Sequence, residues 1–78
     1  MRHKDKVRRV DLRWSVDHWM ATLYGEGGEL IRDSVPIPGL AADANPMQKQ
    51  AVVEDYFCCD YLIDGATRWD FGGPGALG

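Results

Sequence analysis

Between Arg9 and Tyr24 the residues alternate in character, and the alternation changes phase once. Val10, Leu12, Trp14 and Val16 are apolar against Arg9, Asp11, Arg13, Ser15 and Asp17; afterwards Trp19, Ala21 and Leu23 hold the apolar positions. A period of two describes a strand with one face buried, and a run of this length leaves few other folds open. The phase change falls at Ser15-Val16-Asp17-His18, where either a turn or a bulge in one long strand would reset it. A turn is the expectation, with strand two starting at Trp19.

Gly25-Glu26-Gly27-Gly28-Glu29 then separates two further apolar runs. Glycine adopts positive φ at no steric cost, so this segment predicts a hairpin loop. Strand three is expected from about Glu29 to Val35 and is ended by Pro36 and Pro38, which lack ladder donors. Residues 36–44 read as a connection. Asn45-Pro46 is a helix start: the Asn side chain caps free amides, and proline at the first helical position gives up a hydrogen bond that was absent anyway. With Gly65 as the stop, the predicted helix spans Pro46 to Asp64. Residues 66–71 suit a short edge strand, and Gly72 to Gly78 reads as a flexible glycine-rich tail. The expected architecture is therefore α+β: one domain over residues 1–71, with a three-stranded antiparallel meander packed by one long C-terminal helix.

Projected at about 100° per residue, such a helix gathers Met47, Ala51, Phe57, Cys58, Tyr61 and Leu62 in one sector, expected on the sheet. Val52, Tyr56, Cys59 and Ile63 form a second apolar stripe flanked by Asp55 and Asp60. A single small sheet covers one side of a helix, so the second stripe is the candidate partner-binding surface, composed of Val52, Asp55, Tyr56, Cys59, Asp60 and Ile63. On a helix Cys58 and Cys59 would point to different surroundings, as two small buried residues. An intermolecular disulfide through Cys59 is the minor alternative.

Other chemistry finds little support. Two adjacent cysteines with His3 and His18 do not make a zinc spacing, and no metal or other cofactor is expected. Ser15, Asp17 and His18 are too close along the chain to form a triad around one reacting atom. On the predicted helix Glu54, Asp55, Asp60 and Asp64 face no common cleft, and the glycines of the loop precede no helix that would cradle a phosphate. Trp14, Trp19 and Trp69 read as core, with Trp19 and Trp69 the alternatives for exposed anchors. The chain is read as non-enzymatic.

At 78 residues, 45% of them apolar and 27% charged, the chain lies near the lower size limit for a self-sufficient core, which makes a partner or a homodimer plausible. It has no apolar run of the roughly 18 to 20 residues that spans a bilayer and no apolar leader, so no membrane association is expected and the cytoplasm is the expected compartment. The net charge of −3 is uneven: residues 1–13 sum to +4 and the remainder to −7. Nucleic acid needs clustered bases, so direct binding over most of this surface is not expected, although a basic N-terminus offers that route. A protein with a basic surface fits the acidic body better.

Val35-Pro36-Ile37-Pro38-Gly39, following three strands and preceding a helix, resembles the P-x-L-P-G segment of HicB-type antitoxins, which implies a fold and a habit of binding another protein. The likeness runs from Leu30 to mid-helix; the step from Leu40 to Ala44 and the Met47-Gln48-Lys49 opening depart from it, and no DNA-binding segment follows. In profile alone, a short acidic α/β chain with a spare face is similar to phage-encoded anti-CRISPR inhibitors, which occupy the basic surface where a CRISPR effector complex grips DNA. The combined expectation is a protein-binding inhibitor of a nucleic-acid-handling complex, with an antitoxin-like or homodimeric module as the alternative.

Overall fold

A computed structural model describes residues 5–71. In chain order the elements are β1 (Asp5–Lys6), β2 (Arg9–Ser15), β3 (His18–Tyr24), β4 (Leu30–Ile37), α1 (Pro46–Phe57), β5 (Tyr61–Leu62) and β6 (Arg68–Phe71). The phase change is a turn: Ser15 pairs with His18 across the two-residue loop Val16-Asp17, and β2 and β3 stay in register back to Arg9 and Tyr24. The glycine loop also closes a hairpin, from β3 to β4, and Gly25 N donates to Glu29 O at 2.8 Å. Strand β4 runs further than expected, through Pro36 opposite Met20. Among the described residues it is an outer strand with no neighbour on its far side, so the missing amide breaks no ladder there.

The sheet differs from the expected three-stranded antiparallel meander. It has four strands in the order β4-β3-β2-β6, and β6 lies parallel to β2. Since β4 also runs in the direction of β2, α1 carries the chain from one edge of the sheet to the other. A second, two-stranded parallel pair, β1 with β5, extends the same juxtaposition. Between the two parallel pairs the chains fall out of step: residues 7 and 8 separate β1 from β2, whereas residues 63–67 separate β5 from β6. The surplus is absorbed by a turn in which Ala66 N donates to Asp64 Oδ1 (2.9 Å), Asp64 N donates to Thr67 Oγ1 (3.2 Å) and the Thr67 hydroxyl donates to Val7 O (2.5 Å). Thr67 is itself buried.

One face of the sheet carries the core. Val10, Leu12, Trp19, Ala21, Leu23, Val35 and Ile37 meet Leu40, Val53 and Phe57 there. Trp19 is buried and its indole nitrogen donates to Ala41 O at 2.7 Å, which ties the connection to the sheet. Trp14 packs edge-on against Trp19 (centroids 5.5 Å apart), and Trp69 stacks on Phe71; both lie partly buried against the core, as expected for core tryptophans.

The helix starts as expected. Asn45 Oδ1 accepts from Gln48 N (2.8 Å) and Gln48 Oε1 accepts from Asn45 N (3.1 Å), a reciprocal capping pair. It stops at Phe57, seven residues before the predicted end. Three causes are visible: its last turn holds no base and includes Asp55, the wrong sign for the negative end of a helix; Tyr61-Leu62-Ile63 is an aromatic and branched run that favours extended backbone; and extended residues there let Val7 N donate to Leu62 O at 3.0 Å. The buried face is also rotated from the predicted one. Val53 and Phe57 face the sheet while Met47 is 80% exposed. One turn earlier Lys49 fills the same side, its ammonium 4.5 Å from the Trp19 ring centre and 5.1 Å from that of Phe71. The proposed tail, residues 72–78, and His3 with the first bases lie outside the described residues.

Candidate functional site

Ending α1 at Phe57 dismantles the second stripe, because Cys59 and Ile63 are no longer on a helix. Val52 and Ile63 lie partly buried against the core and so serve the fold. The other four expected contacts are brought together. Asp55, Tyr56, Cys59 and Asp60 are all exposed within one six-residue segment that rounds the end of α1, with Tyr56 47% exposed. The turn is held by Asp60 N donating to Phe57 O at 3.0 Å. Phe57 anchors it below, edge-on to Tyr56 at 5.0 Å and to Tyr61 at 5.6 Å. The result is an acidic and aromatic knuckle on a buried base.

One base from β4 reaches the foot of this knuckle. Arg32 Nη1 donates to the Tyr61 hydroxyl at 3.4 Å. Its pKa is raised by that hydrogen bond first and by the charge on Asp60 further down. Sequence reasoning missed Arg32, which lies some thirty positions away and carries no local signal.

The cysteines differ most from expectation. Both are exposed rather than buried, and their sulfurs lie 3.6 Å apart instead of facing different surroundings. Rotation by 100° per residue applies inside a helix, and these two follow its last residue. The only advance signal was the dipole mismatch that shortens the helix.

Away from α1 the sheet's other face is polar. Arg9 bridges two carboxylates, with Nε 2.7 Å from Asp11 Oδ1 and Nη2 3.2 Å from Asp70 Oδ2, and its guanidinium lies 5.5 Å from the Tyr24 ring centre. The hydrogen bond and charge of Asp11 are the chief causes that raise the Arg9 pKa. This bridge neutralises Asp11, which is only 9% exposed. Beside it lies a shallow depression lined by Asp11, Arg13, Met20, Thr22, Tyr24 and Asp33. Asp17 and His18 form an exposed pair at 2.7 Å at the hairpin tip. Among the described residues no three His, Cys, Asp or Glu side chains converge as a metal site, and no helix is long and apolar enough to cross a membrane.

The chain matches no protein-family model, no curated protein and no solved structure.

Proposed function

We infer that this is a non-enzymatic protein-binding inhibitor of a nucleic-acid-handling complex, anti-CRISPR-like, whose knuckle at the end of α1 enters a basic groove. The observation that carries the reading is the exposure of Asp55, Tyr56, Cys59 and Asp60 on one short, well-anchored turn. An aromatic ring among carboxylates suits such a groove: the ring supplies buried area, and the charges supply steering and register. Val52 and Ile63 are left out of the contact, since they pack against the core. The uneven charge, −7 outside the first 13 residues, points the same way.

A second reading, an antitoxin of the HicB kind, is favoured by one feature. Strand β4 ends in Ile37, and Pro38-Gly39 turns toward the helix with Gly39 at φ 76, the geometry that a P-x-L-P-G ending before a helix calls for. Both readings make the chain a binder of another protein; they differ in the target.

The test is binding of the Asp55→Lys, Asp60→Lys double variant to purified CRISPR effector complexes and to toxin nucleases, with DNA as competitor. Loss of binding to an effector with an unchanged thermal melt is expected. Binding that survives the double charge reversal rejects the knuckle as the contact. A concentration-independent homodimer that buries Tyr56 would also reject it.

A further inference from the structure

The geometry points to Cys58 and Cys59 as a two-thiolate chelating site for trivalent arsenicals. Their sulfurs lie 3.6 Å apart on an exposed turn, at the first two positions beyond α1. Three fates are open to such a pair, and the separation together with the number of ligands at hand discriminates among them. A disulfide would need the sulfurs to close to about 2.05 Å between residues whose Cα atoms are only about 3.8 Å apart, below the usual 4.4 Å minimum, so it would be strained. Zinc would accept the spacing, since two bonds of about 2.3 Å at the tetrahedral angle place sulfurs roughly 3.8 Å apart. It also demands four ligands, and among the described residues not even three candidate groups converge.

An organic arsenic(III) centre also binds sulfur in a bent geometry, with a somewhat narrower angle, and needs only two thiolates, because its own carbon fills the third position. The pair therefore completes its coordination without help from the rest of the chain and without moving the core. With an arsenoxide the step is a condensation: two As–S bonds form, the As–O bond breaks, and the oxygen leaves as water with the two thiol protons. No atom changes oxidation state. This site shares Cys59 with the proposed contact surface, but it is argued from the sulfur geometry alone, so a failed adduct would leave the inhibitory reading standing.

The experiment uses the full chain, reduced, with phenylarsine oxide as the probe, followed by intact mass and thiol titration. One phenylarsenic group per chain is expected, with both thiols lost to titration and restored by excess small dithiol but not by a monothiol. Cys58→Ser and Cys59→Ser each remove one arm of the chelate and should weaken retention by about 10² to 10⁴-fold, the usual gain from tethering two contacts. Circular dichroism of the Cys59→Ser variant should be unchanged, as that side chain is exposed. The proposal is overturned by the absence of an adduct on the wild-type chain, by an adduct held equally well in either serine variant, or by arsenic that bridges two chains.

Discussion

Strand β2 has two neighbours that reach it by opposite routes. Its partners in β3 lie at most fifteen positions away, across a loop of two residues, whereas its partners in β6 lie fifty-nine positions away and arrive only after α1 has crossed the sheet. The first pairing is closed by local chain geometry. The second must overcome the closure entropy of nearly the whole chain, and core burial under α1 offsets it. The hairpin side should therefore tolerate changes that the α1–β6 side does not.

Phe57→Ala tests that most severely. Phe57 is 2% exposed, ends the helix and seats Tyr56 and Tyr61. Its loss should lower stability by about 3–5 kcal/mol, measured by urea unfolding, and should loosen β5 and β6 before the hairpin. A loss confined to a few tenths would show that the long-range half is not held by this core.

Thr67→Val comes next. It keeps the shape but removes the hydroxyl that donates to Val7 O and accepts from Asp64 N, leaving two backbone groups without these partners. A cost of about 1–3 kcal/mol is expected. Equal stability would mean that the turn reconciling the two parallel pairs is held by something else.

The smallest effect is expected on the hairpin side, with the opposite sign. Val16 sits at φ 56, a left-handed conformation that disfavours a branched side chain, and at 91% exposure it gains no burial in return. Val16→Asn should raise stability by about 1 kcal/mol, or roughly 4–8 °C in melting temperature for a domain of this size. A fall would show that Val16 makes a contact beyond the single chain.

The same contrast explains what could be read from the residues. The alternation from Val10 to Leu23, the glycine loop and the Asn45 cap are local signals, and the elements they predict are present at the expected places. The strand at Arg68–Phe71 was foreseen as an edge, but no local pattern says that it runs parallel beside β2. The end of α1 was misplaced because apolar residues continue past Phe57 at spacings that suit a helix, while tertiary pairing with residues 5–7 decides the outcome. The candidate site was legible in part: Asp55, Tyr56, Cys59 and Asp60 are exposed together, but as a turn, while Val52 and Ile63 belong to the core and Arg32 was invisible at this distance along the chain.

Nuclear magnetic resonance of the backbone tests the central claim, that the helix ends at Phe57 and the chain returns beside its first strands. Non-helical Cα shifts from Cys59 to Asp64 are predicted, with slow exchange at the amides of Val7 and Arg68, which donate to Leu62 O and Arg8 O. Helical shifts continuing to Asp64, with a fast-exchanging Arg68 amide, would contradict the account and return Cys59 and Ile63 to a helix face.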